Sequence, residues 1–194
     1  NRRHLLEQLS IALKDRKPGI ALCVAAFRVH GLDRIAQAHG AELADKILSE
    51  AARQIGEHLA EAGTGGTLLK QANTARVCRT SEAGLAMLIH SREPVESLPD
   101  LICTALARVS GQPTNLGTEY LPAVSAGIAL VDGDTTGAEQ LLTNAQAASE
   151  QAREPRSCER FTPVPLARSR RRLAIETALR RAVAAGDLHL VYQP

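Results

Sequence analysis

Arg76-Val77-Cys78-Arg79-Thr80-Ser81-Glu82-Ala83-Gly84-Leu85-Ala86-Met87-Leu88-Ile89 is the stretch whose reading decides the fold. It opens as a short strand, turns through the small residues from Ser81 to Gly84, and continues as an apolar strand. Glycine at the reversal supplies a permissive backbone, so the pattern predicts a β-hairpin.

On the N-terminal side, Leu5, Leu6, Leu9, Ala12 and Leu13 form a helical stripe that Lys17-Pro18-Gly19 stops. The continuous apolar run Ile20 to Phe27 suits a strand buried on both faces. From Ala41 to Ala62, Leu43, Ile47, Ala51, Ile55 and Leu59 recur every fourth residue, which predicts a strongly amphipathic helix. Thr67 to Gln71 is a candidate short strand leading into the hairpin. Beyond the hairpin, Ser97-Leu98-Pro99-Asp100 opens a helix ending at Gly111, with proline tolerated in its first turn. Leu121 to Leu130 reads as a strand, Thr136 to Glu139 as a capping box opening a helix from Gly137 to Arg153, and Cys158 to Phe161 as a closing strand. After Thr162-Pro163-Val164-Pro165 the composition shifts. Arg168 to Ala185 is an alanine- and arginine-rich helix capped by Gly186, followed by the strand-like Leu188 to Tyr192.

Composition narrows the function classes. A chain of 194 residues holds one full domain and a remnant of another. Its net charge of +2 gives no global pull toward nucleic acid or anionic membrane. No apolar run reaches the roughly 18 residues of a membrane span, and no signal peptide opens the chain, so a cytoplasmic setting is expected. The abrupt start and end suggest a fragment of a longer protein. Four cysteines, Cys23, Cys78, Cys103 and Cys158, lie far apart without a Cys-x-x-Cys, which argues against a metal site or a disulfide framework and for reduced thiols. His30 and His39 lack partners at ligand spacing and read as solvated or loop histidines.

The hairpin resembles the signature of the GGDEF domains, which cyclise two GTP into cyclic di-GMP. The family pattern there is Arg-x-Gly-Gly-Asp-Glu-Phe, and Arg79-Thr80-Ser81-Glu82-Ala83-Gly84-Leu85 occupies it. Val124-Ser125-Ala126-Gly127-Ile128-Ala129 is similar to the family's Val-Ser-x-Gly-Ile-Ala strand. Leu141 to Arg153 resembles its closing helix, and Asn1-Arg2 its entry into the first helix. The resemblance covers about residues 1 to 161. It implies an α/β (α+β), ferredoxin-like and nucleotide-cyclase-like fold, a mainly antiparallel sheet flanked by helices, with a linker helix at the C-terminus. Residues 163–194 resemble the entrance to EAL phosphodiesterase domains, a basic helix followed by a strand ending Tyr192-Gln193-Pro194. The expected division is therefore 1–162 and 163–194.

Departures from the family pattern shape the expected function. Arg28 falls on the aspartate that ligates metal in active members, and Ala83-Gly84 on the catalytic Asp-Glu pair. Two hard divalent ions bridging GTP phosphates need oxygen ligands, which an arginine does not offer. His30 falls on the second aspartate, Ala36 on the guanine-contacting asparagine, and Ala72 to Ala75 on the product-binding Arg-x-x-Asp. The expectation is that this fragment is not an enzyme. It is read as a regulatory or interaction module with degenerate positions at Arg28, Ser81, Glu82, Ala83, Gly84 and Leu85, no metal and no cofactor. Asp45, Arg79 and Arg153 match nucleotide-contacting places of the family, although exposed charges on amphipathic helices are also ordinary.

The partners implied are an adjacent EAL domain and a homodimer mate or another protein of a signalling or pilus-regulating system. Composite regulators of twitching motility resembling FimX have this arrangement. Two alternatives stand beside that reading. One is a GTP-sensing allosteric domain controlling an EAL phosphodiesterase. The other is a nucleic-acid-binding ferredoxin-like module, against which the lack of aromatics in Thr67 to Gln71, Arg76 to Thr80, Leu85 to Ile89 and Ala123 to Leu130 argues. The run Arg168-Ser169-Arg170-Arg171-Arg172 reads as the wet face of a linker helix.

Overall fold

The computed structural model of the chain describes residues 1–15, 19–62, 77–91, 94–115, 119–131, 137–163 and 166–186. The chain divides into two compact units, Asn1–Phe161 and Thr162–Pro194. The first carries a five-stranded sheet in the order β2-β3-β1-β6-β7. Its strands are β1 (Ala21–Val29), β2 (Cys78–Arg79), β3 (Gly84–Ser91), β6 (Val124–Leu130) and β7 (Cys158–Arg160). All pairings are antiparallel except that of β6 with β7. A separate two-stranded ribbon pairs β4 (Thr114–Asn115) with β5 (Glu119–Tyr120).

The expected α+β architecture is what the chain adopts. Its central strand β1 is flanked by β3 and β6 and buried on both faces from Leu22 to Phe27, as its unbroken apolar run requires. Because side chains alternate along a strand, β1 feeds two cores. Cys23, Ala25, Phe27 and Val29 join Ile47, Leu48 and Ile55 of α3 (Ala41–Ala62) and Ile102 and Leu106 of α4 (Leu98–Val109). Leu22, Val24 and Ala26 join Leu5 and Leu9 of α1 (Arg2–Lys14) and Leu141, Leu142 and Ala145 of α5 (Ala138–Gln151).

Local signals account for most helix ends. The Asn1 side chain accepts from the His4 N–H at 3.0 Å and caps α1, a contribution of about 1 kcal/mol. Periodicity did not announce α2 (Leu32–His39), a short helix set between Gly31 and Gly40. Both glycines hold positive φ, 78° and 91°, where a side chain would be strained. The capping box expected at Thr136 to Glu139 is not what starts α5. Gly137 is the N-cap, with no side-chain capping bond, and Thr136 lies outside the described residues. Glu139 instead pairs with Arg2 of α1 at 2.6 Å.

The close packing of α5 on the sheet depends on Gly127. A Cβ there would lie 2.0 Å from the Ser149 backbone nitrogen and 2.4 Å from the Ala145 carbonyl oxygen. The helix backbone thus rests directly on β6, with no room for a side chain between them.

The second unit contains α6 (Leu166–Ala185), ended by Gly186 at φ 72°. Ile175, Leu179 and Val183 lie exposed on it at intervals of four residues. The expected strands Thr67 to Gln71 and Leu188 to Tyr192, and the stretch Ala72 to Ala75, lie outside the described residues. So do the side chains of Arg168 to Arg172.

Candidate functional site at the hairpin end of the sheet

The end of β1, the β2–β3 turn and the start of β6 meet at one end of the sheet. Arg28 stands in register with Gly84 on one side and Ser125 on the other. Backbone bonds lock this junction: Val29 donates to Ala83 at 3.0 Å and His30 to Ala123 at 2.8 Å. The turn is closed by the Thr80 and Ser81 N–H groups, both donating to the Gly84 carbonyl, at 2.9 and 3.3 Å. A Cβ on Gly84 would fall 2.4 Å from the Ser81 Oγ, so the serine side chain would have to turn aside.

The candidate residues divide by burial. Ser81, Glu82 and Arg28 are exposed, Ala83 is half-buried against the core, and Leu85 is fully within it. Leu85 therefore belongs to packing, whereas Arg28, Ser81 and Glu82 face solvent at the sheet end. Arg79 and Asp45, 34 residues apart in sequence, are brought together. The Arg79 Nη1 donates to the Asp45 Oδ1 at 2.8 Å, and its Nε donates to the Ser81 carbonyl at 3.1 Å. Side-chain exposures of 47% and 58% make this a surface pair, worth at most about 1 kcal/mol to stability. Its importance is positional, because it ties the turn to α3. Arg153 stands exposed just past the C-cap of α5. Its loop reaches the same end of the sheet, where the Arg156 N–H donates to the Val124 carbonyl at 2.7 Å. Among the described residues no hydrogen bond joins Arg153 to Asp45 or Arg79.

His30 is more tightly held than a loop histidine would be. Its Nε2 lies 2.9 Å from the Ser125 Oγ, and its carbonyl accepts from the Tyr120 hydroxyl at 3.1 Å. Partial burial, with the Arg28 guanidinium nearby, holds its imidazole below the usual histidine range. No sequence signal marks the pairing of His30 with Ser125, 95 residues away. His39 ends α2 and is exposed.

The carboxylate cage that two divalent cations would need does not fit the residues at this end. Arg28 offers no oxygen, and among the described residues no three His, Cys, Asp or Glu side chains are grouped to hold a metal ion.

Residues 1–157 match the family model described as "Diguanylate cyclase, GGDEF domain". The chain belongs to the GGDEF family. Its fold is shared with solved structures, among them the GGDEF domain of PA1120 (YfiN or TpbB) from Pseudomonas aeruginosa. That match has a TM-score of 0.68 and 20% identity over 84% of this chain and 97% of that one. The active GGEEF domain of a diguanylate cyclase from Vibrio cholerae matches with a TM-score of 0.65 and 14% identity, over 84% and 98% of the two chains. An EAL/GGDEF domain protein from M. capsulatus matches with a TM-score of 0.59 and 24% identity, over 84% and 99%. No curated protein matches the chain.

These findings correct the functional expectation. Substitutions at Arg28, Ala83 and Gly84 pointed to a fragment that is not an enzyme. Membership of the diguanylate cyclase GGDEF family, with the fold of a domain described as active, overturns that expectation. Substitutions at three positions do not by themselves decide the activity of a whole domain.

Proposed function

We propose that this chain is the GGDEF part of a composite GGDEF–EAL protein of bacterial cyclic di-GMP signalling. In this reading it regulates the EAL domain adjoining residues 163–194, with guanine nucleotide at the hairpin end of the sheet as its signal. Asp45, Arg79 and Arg153 are the residues proposed to meet that nucleotide, with residues 1–162 as the sensing domain. The observation that carries the proposal is the Arg79–Asp45 pair, which sets a guanidinium and a carboxylate side by side at the turn. A guanidinium suits phosphate oxygens and a carboxylate can accept from a guanine edge. The EAL assignment rests on the basic helix and the Tyr192-Gln193-Pro194 ending. A cytoplasmic setting, with a second copy or a pilus-regulating protein as partner in the manner of FimX-like regulators, completes the proposal. Among the described residues no helix is long and apolar enough to cross a membrane.

Calorimetry with GTP and ATP tests it, with cyclic di-GMP, the family's product, assayed in the same samples. GTP is expected to bind more tightly than ATP, and Arg79→Ala to weaken it by about tenfold, as loss of a charged hydrogen bond does. Equal affinities for GTP and ATP, or no change on Arg79→Ala, would defeat the proposal.

A further inference from the structure

Arg28 is the exposed position in a strand otherwise buried from Leu22 to Val29. Arg156 stands exposed in the loop between α5 and β7. Among the described residues neither guanidinium has a salt-bridge or hydrogen-bond partner, whereas that of Arg79 is held by Asp45 and the Ser81 carbonyl.

Strand β6 lies between the two. Arg28 is in register with Ser125 along one edge of β6. Along the other edge the Arg156 N–H donates to the Val124 carbonyl at 2.7 Å, and the Ala126 N–H to the Ser157 carbonyl at 2.9 Å. Neighbouring strands run about 4.8 Å apart, so the Cα atoms of Arg28 and Arg156 are separated by about 10 Å. Extended arginine side chains from the two sides can close on one group set over the end of β6.

The backbone at Arg156 is a second observation. Its φ of 69° makes it the only described residue other than glycine in the positive region, where an L side chain is strained and glycine is not. The bend is fixed by the Ser157 N–H and hydroxyl, which donate to the Glu154 carbonyl at 3.2 and 2.6 Å. An arginine standing where glycine would fit more easily points to a use for its side chain.

We infer that Arg28 and Arg156 form a clamp across β6 for the phosphates of a polyphosphate that carries no divalent cation. The inference rests on the reading of this end as a nucleotide site and names what neutralises the phosphates there. The donors present do not suit a divalent cation. Counter-charge comes instead from guanidiniums, whose paired N–H groups match phosphate oxygens. A cation already on the phosphates would compete with them for the same oxygens.

Calorimetry on the whole chain tests the clamp, with inorganic triphosphate as the probe, first in EDTA and then in excess Mg²⁺. GTP is titrated in parallel. Triphosphate should bind in EDTA and several-fold more weakly in Mg²⁺. Arg28→Gln and Arg156→Gly should each weaken it about tenfold, as loss of a charged hydrogen bond does. The Arg156→Gly chain should melt no lower than the parent, which separates binding from folding. If it does not fold, Arg156→Asn gives the same reading, since asparagine tolerates positive φ. Arg160→Gln, an exposed arginine further along on β7, should leave the affinity unchanged. Binding that requires Mg²⁺, full affinity in Arg156→Gly, or equal weakening by Arg160→Gln would overturn the clamp. Preference for GTP over ATP without triphosphate binding would overturn it and leave the guanine-nucleotide reading standing. Failure of both GTP and triphosphate to bind would overturn both.

Discussion

On one face of the sheet Phe27, Met87 and Ile89 meet Ile47, Leu48 and Ile55 of α3 and Ile102 of α4. On the other, Ala26 stands opposite Gly127, and α5 comes down until its backbone touches the strand. The first face fills a wide gap with large side chains. The second is drawn in close at Gly127, while Leu22, Val24 and Leu88 pack the rest of that face against Leu5, Leu9, Leu141 and Leu142. A chain whose aromatics number only two Phe and two Tyr thus covers one side of its sheet with Phe27, Met87 and aliphatic side chains, and the other with aliphatic side chains and one direct helix approach. The two faces should fail in different ways: the wide one when volume is removed, the narrow one when volume is added.

The largest effect should come from the wide face. Phe27 is 1% exposed, and Phe27→Ala should cost about 3–5 kcal/mol, read as a lower urea midpoint with an unchanged slope. A cost under about 1 kcal/mol would mean that α3 collapses into the space, erasing the contrast. Next comes Gly127→Ala, which adds a single methyl and should cost about 2–3 kcal/mol. The obstacle is backbone, not a side chain that could swing aside. If this variant proved as stable as the parent, α5 would have to be free to lift, and the narrow gap would be incidental.

The smallest effect belongs to the sheet end, where both cores run out and polar bonds take over. His30 has a folded pKa held below its usual value by burial and by Arg28 on β1, while Ser125 on β6 and Tyr120 on β5 bond to it. The unfolded chain therefore binds a proton that the folded one resists. The neutral histidine's contribution is complete above the unfolded pKa, about 6.5, and is lost as pH falls toward the lowered folded value. Urea midpoints taken at about pH 7.5 and about pH 5 should fall less in His30→Gln than in the parent. Comparison with the parent cancels the other histidines. Equal falls would show that His30 titrates as it does in the unfolded chain.

Much of this arrangement was legible in the residues. The stripe of Leu43, Ile47, Ala51, Ile55 and Leu59 marked α3, and the unbroken run at Ile20 to Phe27 marked a strand covered on both faces. Gly84 marked the turn, although its φ is not positive. The missed helix α2 is eight residues long, too short for periodicity to declare itself. The glycines bracketing it were the available signal. Asp45 and Arg79 were singled out separately by resemblance, but their contact arises from the hairpin folding back toward α3. His30 with Ser125 was beyond reach for a related cause. The pair joins segments whose separation in sequence says nothing about distance, and neither residue carries a local pattern.

The strand lengths across the sheet have a consequence for how such a domain survives at high concentration. Its inner strands β1, β3 and β6 run seven to nine residues, whereas the described outer strands β2 and β7 have two and three. Polymerisation of β-proteins begins where a long row of unpaired amides invites a foreign strand. At the β7 margin that row is three residues long. What is left there is too short a template for another copy to extend.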